Sequence, residues 1–417
     1  MDLGTRGANS SSTRHSFTFS HAINPVYDDN MHDVMESDIV VPTVHGDASA
    51  TASPVSPSML EIVSPLSTDA IIQCLDRKQE NEKEMPWLMD YSLYLLHLAV
   101  GGILGVITRY SLQKLFGPGV IGLTSDENVL YLDLPSNMVG SFFMGWLGVV
   151  FKGDISRFSE YLAVGLTTGY LGSLTTFSGW NQKMLDLSVQ GKWALAVYGL
   201  PLGLIVAYFS ISYGIMTAQV FQEFLKNRYV LPLNDHSSAK CICKVNRYSC
   251  QLAIMVVLLL ILGLFWGTSG AVEKREFDRG SREAELCLAI LVGPFGVWIR
   301  WFLARRLNGR GLGKSGSLKW IPFGTLVANV SAACVMAALA TLKEAVNTKA
   351  CNTVATGIQL GLMGCLSTVS TFIAEVHSLR QSNRPWRGDA YALVTIVVSF
   401  GLGTLIYSVP VWTRGYD

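Results

Sequence analysis

Two runs of small and hydroxyl-bearing residues carry the chemistry this chain can offer. Gly165–Trp180 reads GLTTGYLGSLTTFSGW, and 192 positions later Gly357–Phe372 reads GIQLGLMGCLSTVSTF. Glycines at 165, 169 and 172 let backbones approach closely in lipid. The same glycines and hydroxyls loosen a helix. A broken span frees carbonyl oxygens, which persist at membrane depth only where they line a cavity or hold an ion. Hard oxygen ligands suit a small alkali cation. A small-residue packing face without an ion is the other reading of the same spacing.

Single polar residues recur with these runs. Asn137 returns as Asn329, and Gly102, Gly105 and Arg109 return as Gly293, Gly296 and Arg300. A buried asparagine must pair its amide, so each is either interhelical glue or a donor to an anion. Each arginine closes an apolar span. There, snorkelling to the headgroups competes with an electropositive vestibule that gathers anions. Phe177, Trp180 and Phe372 read as core aromatics, although the positive rim of a ring can attract an anion edge-on.

Other motifs carry less. Gly311–Gly316 reads GLGKSG, but Asn308 stands where a phosphate loop needs glycine, and no strand precedes it. Cys241, Cys243 and Cys250 lack a fourth zinc ligand at suitable spacing, apart from His236 nearby. Asn329-Val330-Ser331 matches a glycosylation pattern inside a span, out of reach of a transferase. His97 and His377 stand alone in spans and read as packing or interhelical hydrogen bonds. No HExxH, GxSxG or carboxylate cluster appears, so an enzyme is not expected.

The elements that must position these residues are membrane helices. The 417 residues are 50% hydrophobic and 15% charged, against about 25% charge in soluble domains. A net charge of +1 gives no sign of a nucleic-acid partner. A span needs about 20 apolar residues. Nine segments qualify: about 91–113, 129–151, 160–183, 193–217, 250–269, 285–306, 320–342, 353–378 and 389–412. The fifth is apolar all round and should face lipid. The other eight form two sets of four in the same order. With the lone helix between them, five crossings separate each residue from its twin. Five is odd, so the second copy should lie upside down.

The expected fold is therefore an all-α membrane protein with nine transmembrane helices arranged 4+1+4 as an inverted repeat. Its parts are a disordered cytosolic tail (1–86), a first four-helix domain (88–217), a loop and linker helix (218–284) and a second, inverted domain (285–412). The tail is rich in Ser, Thr, Asp and Pro, and its Ser53-Pro54, Ser56-Pro57 and Ser64-Pro65 pairs could take phosphate. Lys and Arg are more numerous in the loops on the amino-terminal side, which places the amino terminus in the cytosol and the carboxyl terminus outside.

GxxGxxxR, a mid-span Asn and GxxxTTFS, each recurring in order, resemble the Fluc/CrcB fluoride channels and their two-domain eukaryotic relatives, the fluoride exporters. The resemblance covers roughly 88–412 and implies a monomer acting as an internal pseudo-dimer in the plasma membrane. It also implies a central structural Na+ held by backbone carbonyls of Gly172, Thr175, Gly364 and Ser367. Two fluoride pathways are implied, each lined by two phenylalanine positions from opposite halves, with an Asn donor (Asn137, Asn329) and hydroxyls alongside.

The halves depart from one another. One pathway receives Phe177 with Phe372, the other Val369 with Trp180. Four residues before the Asn, the second half has Thr325 and the first has Asp133, which would repel an anion. Thr395 and Ser399 form a hydroxyl track, where the first half has Gly203 and Ala207. One working pore (Phe177, Phe372, Thr325, Asn329) and one degenerate pore are expected. With no ATP site and no titratable relay recognised in the spans, a passive channel is favoured. The alternatives are a sodium- or proton-coupled anion transporter and a membrane scaffold that transports nothing.

Overall fold

The computed structural model describes residues 86–125, 127–228, 247–308, 318 and 320–415. The tail up to residue 85, the Cys241–Cys243–His236 group and the 311–316 loop lie outside the described residues.

Every regular element among the described residues is a helix. We number them α1 (Trp87–Phe116), α2 (Leu134–Phe143, extended by a π turn Met144–Val150) and α3 (Lys152–Phe158). Next is α4 (Glu160–Val164), which runs through a π turn, Gly165–Leu171, into Gly172–Leu174. Then come α5 (Phe177–Val189), α6 (Trp193–Arg228) and α7 (Arg247–Glu276). The second half has α8 (Arg282–Leu307), α9 (Phe323–Val346) and α10 (Lys349–Ile358, a π turn Gln359–Met363, then Gly364–Leu366). It ends with α11 (Ser370–Arg380) and α12 (Trp386–Gly403, a π turn Thr404–Ser408, then Val409–Arg414).

Among the described residues, seven helices are long and apolar enough to cross a bilayer. The count is eight if Leu134–Val150 and Lys152–Phe158, bent by 66°, form one span. The segment expected as the third span is divided, because Thr175 and Thr176 are extended (φ −100°, ψ 144° and φ −137°, ψ 123°). Its counterpart, Lys349–Arg380, passes as one span although Ser367 is extended too (φ −85°, ψ 160°). Helix α7 is 6% buried along its most apolar window. It rests on α1 and α8 through Leu262, which clusters with Ile103 and Ile290. Its remaining surface is apolar and exposed, as suits a face turned to lipid.

Reciprocal contacts relate the two halves. Arg300 Nη2 donates to Thr168 O at 2.9 Å, and Arg109 donates to Leu360 O, the same position in the other copy. Thr175 Oγ1 donates to Ser370 Oγ at 3.1 Å, and Ser178 Oγ pairs with Ser367 Oγ at 2.8 Å. A contact i to j matched by j to i is the mark of a two-fold relation. Gly105 and Gly296 permit close approach: a Cβ on Gly105 would stand 2.7 Å from Tyr170 O, and one on Gly296 3.0 Å from Leu366 N. Helices α1 and α8 therefore lie directly against the broken α4 and α10.

Candidate functional site

The breaks in α4 and α10 meet at the two-fold. The short pieces Gly172–Leu174 and Gly364–Leu366 pack on each other; Thr175 N and Ser367 N make the last helical bonds, and Thr176 N and Thr368 N leave the ladder. Hydroxyls tie the junction together. Thr175 Oγ1 lies 3.2 Å from Thr368 Oγ1, and Thr176 Oγ1 lies 3.1 Å from Ser367 Oγ. The breaks are further held by the two asparagines. Asn329 Nδ2 donates to Thr368 O at 3.0 Å and its Oδ1 accepts from Thr368 N at 2.8 Å. Asn137 makes the same pair with Thr176, at 3.2 and 2.9 Å. Both amides thus act as glue. They differ in what remains: Asn137 Nδ2 also donates to Tyr131 Oη at 3.1 Å, whereas Asn329 keeps one N–H without an acceptor among the described residues.

The arginines are not at a mouth. Arg109 and Arg300 are 1% and 3% exposed. Neither ends its helix, since α1 runs on to Phe116 and α8 to Leu307. Each guanidinium lies against the glycine of the opposite half, Arg300 on Gly172 and Arg109 on Gly364. There it takes up a carbonyl beside or within the opposite π turn, where the widened register frees backbone oxygens. Arg300 Nε also donates to Cys365 O at 2.8 Å, and Nη2 to Ser173 Oγ at 3.3 Å. The vestibule expected from the sequence gives way to a pair of buried staples.

Along the second half a polar track leads to two facing rings. Phe177 and Phe372 lie 5.8 Å apart at 67°, edge toward face, and both are buried. Phe372 in turn meets Tyr391 at 5.3 Å. Below them on α12, Thr395 and Ser399 are fully buried; Thr395 Oγ1 donates to Tyr391 O at 2.8 Å, and Ser399 Oγ has no partner. Asn181, one turn beyond Phe177, is 1% exposed with neither amide atom bonded. Its Nδ2 is 3.2 Å from where a Cβ on Gly403 would stand, and Gly403 is one turn beyond Ser399. Buried polar atoms without partners are rare and point to a ligand or water.

A carboxylate heads this track, and sequence reasoning missed it. Glu375 Oε1 accepts from Thr325 Oγ1 at 2.7 Å, and Oε2 from Tyr391 Oη at 2.8 Å. Its spacing from Phe372 puts both on one face of α11, the one signal that pointed to it. The first half replaces this pair by Asp133 and Lys183. It replaces Tyr391, Thr395 and Ser399 by Gly199, Gly203 and Ala207. The Trp180 indole fills the space those small residues leave. It stacks on Tyr131 at 6.4 Å, and Nε1 donates to Gly199 O at 3.2 Å. Val369 and Trp180, the residues expected in the second pathway, are each 1% exposed within the same core cluster as Phe177 and Phe372.

Among the described residues no three His, Cys, Asp or Glu side chains converge on a metal site. The oxygens at the breaks are neutral, and the side chains of Thr175 and Ser367 are engaged with Ser370 and Ser178. Backbone carbonyls are therefore what the junction offers a cation.

These features define a multi-pass membrane protein built from two copies of one helical unit. The chain belongs to the CrcB-like family: the family model for CrcB-like proteins (camphor resistance) matches twice, over residues 96–220 and 287–407. It is similar to Fluoride export protein 1 of Candida albicans, 26% identical over 78% of this chain and 82% of that protein. It is similar also to the Fluoride-specific ion channel FluC of a Shewanella species, 33% identical over 29% of this chain and 91% of that protein. FluC 2 of Listeria innocua is 28% identical over 29% of this chain and 88% of its own length. No solved structure matches.

Proposed function

We propose that this protein exports fluoride from the cell as a passive channel in the plasma membrane, through one working pathway and not two. The relatives named as fluoride channels and fluoride exporters support the ion. One observation carries the single pathway: the Phe177–Phe372 side holds unpaired buried donors at Asn181, Asn329 and Ser399. On the other side, an indole fills the corresponding space beside Gly203. Fluoride holds its hydration shell tightly. A pore must replace that shell with N–H and O–H donors and ring edges, yet release the ion. Asn329, Ser399 and Asn181 supply free donors, Thr325 and Thr395 supply hydroxyls that must first leave Glu375 and Tyr391 O, and Phe177 and Phe372 supply edges. Glu375 holds the Thr325 and Tyr391 hydroxyls, so an entering anion must first compete for them. The route through Val369, Trp180 and Asp133 does not conduct.

The topology that serves this function is nine spans as 4+1+4, with α7 inverting the second copy, a cytosolic amino terminus and an external carboxyl terminus. The two-fold would then lie in the membrane plane. Carbonyls of Gly172, Thr175, Gly364 and Ser367 would hold a structural Na+, which supplies positive charge where both halves meet. Outward drive comes from the membrane potential, about 2.3 kcal/mol per charge per 100 mV. No reaction is catalysed.

The test is fluoride efflux from liposomes holding the purified protein, with the voltage clamped by a potassium gradient and ionophore. A channel gives flux that follows voltage and ignores the direction of a sodium or proton gradient. Flux that reverses with either gradient favours coupled transport, and no flux favours a scaffold.

A further inference from the structure

Away from the route, a cavity of about 500 Å³ opens between the first turns of α1 and the last turns of α8. Tyr91, Trp301, Phe302, Arg305 and Arg306 line it. The two guanidiniums are laid on rings: Arg305 sits 4.7 Å from the Trp301 centroid and Arg306 5.1 Å from that of Phe302. Trp301 is itself fixed by Tyr91 at 5.4 Å and Tyr94 at 5.7 Å. Cations held on aromatic faces are oriented before any ligand arrives. Neither arginine forms an ion pair among the described residues. Asp90, beside Tyr91, accepts from the Tyr161 hydroxyl on α4. The sequence holds no acidic residue between Glu285 and Glu344, so this end of α8 is itself basic; the nearby carboxylates, Asp90 and Glu160, come from α1 and α4 and face Tyr161 and Tyr94.

A second feature says what covers it. On α8, Phe295, Ile299 and Phe302 are 47%, 44% and 48% exposed and recur at helical spacing. They form an apolar stripe that climbs from the cavity toward mid-span. Two cations at the end of a span, with an apolar stripe leading away from them, match a phosphate joined to acyl chains. A free phosphate would use only the cations.

We propose that this cavity binds the headgroup phosphate of an anionic phospholipid, with an acyl chain lying along the Phe295–Ile299–Phe302 stripe. Loop charge places this end of α8 on the cytosolic side, where the leaflet is anionic. The site is independent of the fluoride route.

Native mass spectrometry of the full chain in detergent tests it, with phosphatidylserine, phosphatidylcholine and inorganic phosphate as probes. The wild-type protein should retain phosphatidylserine well above phosphatidylcholine, and millimolar inorganic phosphate should not displace it. At about five-fold per cation, Arg305→Gln with Arg306→Gln should weaken phosphatidylserine retention about 25-fold. Fluoride efflux should stay at the wild-type level. If that variant does not fold, the wild-type comparison still decides. Equal retention of the two lipids, displacement by inorganic phosphate, or unchanged retention in a folded double variant would each overturn the proposal.

Discussion

The Trp180 indole occupies the space that a side chain at Gly203 would need: a Cβ there would stand 2.6 Å from the ring. On the other half, the position equivalent to Gly203 is Thr395, which is buried and close to unpaired donors. Filled space on one side and available hydrogen bonds on the other are two outcomes of one duplicated plan. Gly203→Ala should therefore overpack the first half. We expect a loss of about 1–3 kcal/mol. Thermal unfolding in detergent measures it, and efflux per folded molecule should not change. A variant as stable as the wild type would show that the indole has room to move.

Asn181 presents the opposite case. An amide buried without partners costs about 1–3 kcal/mol. Asn181→Leu removes that cost with the same number and branching of side-chain heavy atoms, so the variant should melt later than the wild type. It should also lose at least about tenfold in fluoride flux, because a donor is gone from a route that replaces hydration. Higher stability with full flux would remove Asn181 from the pathway.

Arg300 spans both halves through Thr168 O, Cys365 O and Ser173 Oγ. Arg300→Ala strands buried carbonyls, and we expect about 2–5 kcal/mol of destabilisation, seen as loss of monodisperse protein on size exclusion. Arg300→Lys should rescue little, since one ammonium cannot reach three acceptors in a fork geometry. Full rescue by lysine would return the residue to a simple charge role.

Sodium removal should act on structure more than on driving force. Replacing Na+ by a bulky organic cation on both faces should lower the melting temperature and the flux together. A sodium gradient at zero voltage should drive no net fluoride movement. Indifference of both readouts to sodium would leave the carbonyls of Thr175 and Ser367 without a cation.

Much of the fold was legible because breaks have a chemical signature. GYLGSLTTF and its twin combine glycine with residues that compete for backbone hydrogen bonds, and the chain opens at Thr175 and Ser367. The Phe177–Phe372 pairing came from the family resemblance and not from the repeat, and the two rings do touch, at 5.8 Å. The arginines were misplaced for a physical reason. Sequence shows a cation after an apolar run but not the carbonyls that a π turn frees on a segment 132 or 251 residues away. Glu375 escaped notice similarly: a lone carboxylate in a span looks only costly until Thr325 and Tyr391 are seen to donate to it. Asn181 and Ser399 were separated by more than half the chain, and only folding puts Asn181 against Gly403, one turn from Ser399.

The most direct measurement compares fluoride efflux in Phe372→Ala and Trp180→Ala, each reconstituted at equal protein-to-lipid ratio. Loss of flux in the first, with the second retaining most of it, is the predicted result. Equal losses in both, or a larger loss at Trp180, would contradict a single conducting route.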